Sequence, residues 1–210
     1  MDKYLLPRRE REKNKHKEEI LEAALRLFSE KGFHNVSMQE IAEKSEFGVG
    51  TIYNFFESKE ALFEELMKNS AEQTIREFSE ILDGPGSEKE RLSAFIRQLP
   101  EFQEKHGELI KLYISEYGIK GLKLSKIRDE SKSHEAINSK LAQLVEQGIN
   151  KGLFRPVDPA ITAKSLASII ETLIFETTGR FDRNNVTQMF NKVEQLFLDG
   201  LLLPGGQTNE

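Results

Sequence analysis

The sequence predicts an all-α protein of about nine helices: an N-terminal three-helix unit containing a helix-turn-helix, then a larger helical domain. Three observations predict it. Apolar residues recur every three or four positions almost throughout. No alternating apolar run is bounded by hairpin turns. Helix starts are also clearly written: Ser37-x-x-Glu40 and Ser87-x-x-Glu90 are capping boxes, and Asp158-Pro159 sets a cap before proline at the first helical position.

The elements follow in order. A first helix is expected over roughly residues 15–31, with Ile20, Ala24, Leu27 and Phe28 on one face. Gly32 stops it, and Lys31 sits favourably at its negative end. Residues 37–56, SMQEIAEKSEFGVGTIYNFF, read as two short helices across a tight turn. Val36 and Ile41 are placed to staple the first of them. The second points Ile52 and Phe56 inward and Thr51, Tyr53 and Asn54 outward. Ser58 caps a long helix that ends at Asp83-Gly84-Pro85-Gly86. Beyond the loop a helix is expected to stop before Pro100, followed by a segment over 101–117 that ends before Gly118 and Gly121. Residues 122–136 are charged and weakly periodic, and are expected to be a mobile connection or a frayed helix start. Apolar periodicity resumes from Ile137 to Gly152 and fills two further helices, after Asp158 and Asp182. A disordered tail is expected from Pro204. The domain boundary falls inside the long helix, giving 14–74 and 75–204.

Composition excludes several functions. No stretch of the 210 residues approaches the roughly 18 apolar positions needed to cross a membrane. The first residues also lack the apolar core of a signal peptide, so a cytoplasmic protein without a membrane partner is expected. The absence of cysteine removes disulfides, zinc fingers and cysteine catalysis. His16, His34, His106 and His134 are scattered, with no i, i+4 pair, so neither a metal nor a cofactor is expected. There is no phosphate loop and no nucleophile signature, which argues against an enzyme. Net charge is -5, but residues 1–17 carry seven basic side chains against three acidic ones. Arg8, Arg9 and Arg11 lie in this arm, which suits phosphate or minor-groove contact beside a helix-turn-helix whose second helix enters a major groove.

Four segments carry a resemblance. ILEAALRLFSEKGF (20–33), SMQEIAEKSEF (37–47), GTIYNFF (50–56) and SKEALF (58–63) occur in the order and spacing of the tetracycline-repressor (TetR) family of bacterial transcriptional regulators, which the chain resembles over 14–74. GLFRPVDP (152–159) is similar to that family's lead-in to its penultimate helix. The resemblance implies a ligand-responsive repressor that binds a palindromic double-stranded DNA operator as a homodimer, with a divergent effector-binding and dimerisation domain. Carried onto this sequence, it implies that Ser37 aims a helix end at a phosphate. Gly48, Val49, Gly50, Thr51, Tyr53 and Asn54 lie on the reading helix, and Lys59 contacts the DNA backbone. The last two helices would pair through Leu166, Ile170, Leu173, Val186, Met189, Phe190, Val193 and Phe197. Phe102, His106, Tyr113, Tyr117, Phe175 and Phe181 are candidates to line a pocket for a hydrophobic small-molecule effector of unknown identity.

Two positions depart from the family pattern. Glu46 stands where the turn usually carries glycine, and Gly48-Val49 stand where a serine and a basic residue often open the reading helix. That helix is left without positive charge. An alternative is therefore a helical adaptor that has lost specific DNA binding.

Overall fold

The chain builds nine α-helices among the described residues: α1 (Arg8–Lys31), α2 (Met38–Lys44), α3 (Val49–Phe55), α4 (Lys59–Leu82), α5 (Glu88–Lys105), α6 (Gly107–Leu124), α7 (Arg128–Asn150), α8 (Pro159–Thr178) and α9 (Arg183–Leu201). A 3-10 turn, Phe33–Asn35, joins α1 to α2. This is a computed structural model, which describes the backbone of residues 7–124 and 128–203 and the side chains of 7–116 and 135–203. The tail from Pro204, the side chain of Tyr117 and part of the expected 122–136 connection lie outside the described residues.

The start signals form as hydrogen bonds. Ser37 and Ser87 each accept from the backbone three residues on, while Glu40 and Glu90 accept from the capping residue in return. Asp158 accepts from the Ile161 N–H, with Pro159 opening α8, and Asp182 does the same for Asn185. Each such cap contributes about 1 kcal/mol by satisfying amides that have no intrahelical partner.

Three expectations are corrected. The first helix begins at Arg8 rather than near Lys15. Pro7 has φ -53° and presets the first turn, and Glu12 pairs with Arg8 at 2.8 Å along the helix. Most of the basic arm is therefore helical. Helix α5 does not stop before Pro100 but runs through it to Lys105. The lost backbone bond costs several kcal/mol, which burial of Leu99, Pro100 and Gln103 against the rest of the fold offsets. The real break comes at His106, where α5 ends and α6 starts at Gly107, and α6 passes through Gly118 and Gly121.

Two compact units result. Met1–Ser70 with Glu108–Leu122 make one, so α6 belongs with the helix-turn-helix although it lies far along the sequence. Ala71–Gly107 with Lys123–Glu210 make the other. The first has a core of Ile20, Ala24, Phe28, Ile41, Ile52 and Leu62, all fully buried. In the second, Phe95, Ile96, Leu99, Leu141, Phe154, Leu166 and Phe190 lie in one buried cluster. The α7–α8 turn is tied to the end of α9 by the Phe154–Leu202 bridge. Phe154 packs so closely on Gly148 of α7 that a Cβ there would lie 2.1 Å from its ring.

Candidate nucleic-acid interface

Helix α3 is held from beneath and exposed on top. Ile52 is fully buried and Phe56, which ends the helix, is 4% exposed, while Tyr53 is 53% and Val49 37% exposed. Asn54, Gly50 and Gly48 are exposed as well, and Thr51 is half-buried. Gly48 occupies the cap position without a side-chain bond. Glu46 takes φ 61°, the left-handed angle that the turn demands and that glycine would adopt without strain. No atom lies within 4 Å of where a Cβ on Gly50 would sit.

An open cleft of about 680 Å³ borders this helix, lined by Ser37, Met38 and Gln39 from the start of α2, Val49 and Tyr53 from α3, and Ser58, Lys59 and Glu60 from the start of α4. Hydrogen bonds from Lys31 and from Ser37 hold the Glu40 carboxyl down at about 2. The Glu40 carboxylate thus remains charged and keeps its double role, capping α2 and pairing with Lys31 at 2.7 Å.

Lys59 does more than face the cleft. Its Nζ donates to the Phe33 carbonyl at 2.8 Å and the Val36 carbonyl at 2.7 Å, and sits 4.5 Å from the centre of the Phe33 ring. From the other side, Glu116 Oε1 on α6 accepts the Phe33 N–H at 3.1 Å. The short turn that leads into α2 is therefore gripped through the Phe33 carbonyl and amide, and through the Val36 carbonyl just beyond it. Sequence reasoning missed Glu116 because its partner lies 83 residues away and no local pattern marks it. Lys17 is likewise engaged, with Glu65 of α4 at 2.8 Å. Arg8, Arg9 and Arg11 project from the exposed first turns of α1.

The second unit disposes of the other predicted residues. Leu166, Ile170, Val186, Phe190 and Val193 are each 7% exposed or less. Their side chains lie in the apolar core of the second unit. Leu173, Met189 and Phe197 are half-buried, whereas Ile161 and Leu196 are the large apolar side chains left 66% and 64% exposed on α8 and α9. Phe102 stacks between Phe78 and His106, with ring centres 4.7 and 4.5 Å away. His106 closes α5 and bonds Glu77 at 3.1 Å. Phe175 and Phe181 are half-buried in the same unit, while Tyr113 lies on α6 in the first. No group of three or more potential metal-ligating side chains occurs among the described residues, and no helix there is long and apolar enough to cross a membrane.

Two family models match. The model for bacterial regulatory proteins of the tetR family covers residues 20–66, and that for a tetracyclin repressor-like C-terminal domain covers 85–201, more than half of the chain. The chain belongs to the TetR family. It is thus a transcriptional regulator with a helix-turn-helix, in a family made of regulators and not of enzymes. The HTH-type transcriptional regulator YhgD of Bacillus subtilis is 28% identical over 157 residues, covering 75% of this chain and 81% of that one. The HTH-type transcriptional repressor KstR2 of Mycobacterium tuberculosis is 27% identical over 145 residues, 68% of this chain and 71% of its own length. The fold is that of FadR from Bacillus subtilis, solved in complex with stearoyl-CoA, with a TM-score of 0.72 at 21% identity over 87% of this chain and 97% of that one.

Proposed function

We propose that this TetR-family regulator is a repressor that binds a palindromic DNA operator as a homodimer and leaves it when a hydrophobic small molecule binds. The observation that carries the reading is the exposed, glycine-opened face of α3, set beside the capped start of α2 and the start of α4. A duplex seated there would meet helix-end amides at its phosphates and side chains at its bases. Ser37, Tyr53 and the third ammonium N–H of Lys59 serve the backbone; Gly48, Val49, Gly50, Thr51 and Asn54 face the groove. Because α3 carries no charge, electrostatic attraction falls to Arg8, Arg9 and Arg11 at the start of α1.

Dimerisation proceeds through the outer faces of α8 and α9, where Ile161, Leu196, Phe197 and Leu173 leave apolar surface outside the core. Phe102, His106, Phe175 and Phe181, all in the second unit, are the candidates for contact with the effector. The apolar and aromatic character of this set suits a ligand with a long or planar hydrocarbon body, such as the acyl chain of the stearoyl-CoA bound to FadR. The effector acts by binding better to a dimer whose reading helices no longer sit one helical turn, about 34–36 Å, apart.

A gel shift with DNA from upstream of the protein's own coding region tests the reading. Saturable, sequence-dependent retardation supports it. Weak binding that vanishes at physiological salt favours a helical adaptor, the reading that the uncharged α3 otherwise invites. Replacing Arg8, Arg9 and Arg11 by Gln should flatten the slope of log K against log salt by about 0.9 for each phosphate left without its cation. An unchanged slope refutes the role given to the arm.

A further inference from the structure

We infer that α3 reads A·T base pairs, so that the half-site beneath it is A·T-rich at the positions it contacts. The inference rests on the operator reading above and adds the base composition. Guanine is read best by a bidentate arginine or lysine, and cytosine by a carboxylate that accepts from its amino group. Helix α3, Val49–Phe55, has neither a cation nor a carboxylate.

Three lysines around it are engaged elsewhere. Lys59 holds the Phe33 and Val36 carbonyls, Lys31 holds Glu40, and Lys17 holds Glu65. Lys44 lies in the last turn of α2 and not on α3. Gln39, which lines the cleft, donates its amide to Glu43 at 3.1 Å.

What α3 does expose matches the other base pair. The Asn54 amide offers an acceptor and a donor side by side, as the N6 and N7 edge of adenine requires. Val49 presents a branched apolar side chain, 37% exposed, at the first helical position, where the 5-methyl group of thymine is its complement. Gly50, with open space around it, lets the backbone between these two approach the groove floor. A G·C pair in either place would leave a polar edge against an isopropyl group, or set one of guanine's two acceptors, O6 and N7, against the carbonyl oxygen of the asparagine.

Selection of the full-length protein from a randomised duplex library, read by sequencing, tests this. The expected result is an enriched palindrome with A·T pairs at two or more positions in each half-site. Asn54→Ala should erase the adenine preference at one of these, lowering affinity for the selected duplex about 5- to 150-fold. Val49→Arg should move another from T·A to G·C. Circular dichroism of both variants checks that the helices persist. Enriched half-sites with G·C pairs at the positions these substitutions alter overturn the inference and leave the operator reading standing. An unchanged preference in both folded variants does the same. Failure of the unsubstituted protein to enrich any sequence overturns both.

Discussion

Gly50→Ala separates the stability of the reading head from its function. Glycine inside a helix costs about 0.5–1 kcal/mol relative to alanine, because it loses more backbone freedom on folding. Nothing in the fold of this chain requires glycine here. Gly50 is not among the residues with positive φ, and no atom lies within 4 Å of the position a Cβ would take. The substitution should therefore raise stability by about 0.5–1 kcal/mol, or roughly 2–4 °C in Tm per kcal/mol for a chain of this size. Bound to DNA, the balance reverses. A methyl group projects about 1.5 Å from the backbone, roughly one carbon–carbon bond length. Hydrogen bonds tolerate only about 0.5 Å of spread in donor–acceptor distance. If the groove floor approaches Gly50, a methyl there lifts Asn54 out of bonding range, and losing one bidentate pair costs about 1–3 kcal/mol, or 5- to 150-fold in affinity. Thermal melting followed by circular dichroism, with fluorescence anisotropy on the cognate duplex, measures both effects. An alanine variant that is more stable and binds as tightly as the original would refute the close approach at Gly50.

Three other outcomes are expected. Gly148→Ala should destabilise the second unit by about 1–3 kcal/mol despite the better helix former, because the new methyl overlaps the buried Phe154 ring; a rise in the denaturant midpoint would contradict this. Glu116→Ala removes the acceptor of the Phe33 N–H, at a cost of about 1–3 kcal/mol where that amide stays out of water. Hydrogen exchange at Phe33 should accelerate and operator binding weaken, whereas Glu116→Gln keeps an acceptor and both readouts. Burial alone would raise the Glu77 carboxyl from 4.5, but hydrogen bonds from Lys105, Gln73 and His106 bring it down to about 2. A carboxyl depressed on folding stabilises fully above its unfolded value and loses that contribution as pH falls towards the folded one. Tm should therefore drop between about pH 4.5 and 2, and Glu77→Gln should shallow that drop; identical pH profiles would discount the cluster.

Much of the fold was legible because caps and periodicity act between neighbours. Ser37 with Glu40, Ser87 with Glu90, and Asp158 before Pro159 need only three or four residues to form their bonds, and they form. Ile52 and Phe56 were readable as core, and Tyr53 and Asn54 as surface, because one turn of helix separates their faces. Pro100 misled for the same reason: the local rule ends a helix there, and only burial of the residues around it carries α5 onward. The arm was legible as charge but not as helix, since its apolar stripe begins only at Ile20.

The sequence alone determined the helix-turn-helix, its outward residues and the missing charge on its second helix, all consequences of helical spacing over residues 37–56. Tertiary structure decided which apolar residues of α8 and α9 stay outside the core. A repeat of every three or four residues marks a buried stripe without saying whose core it fills. It alone also showed that Lys59 and Glu116 hold one turn between them, through partners 23 to 83 residues away. Bonds over that distance leave no trace in local pattern, because they depend on how packed helices bring remote side chains to the same few backbone atoms.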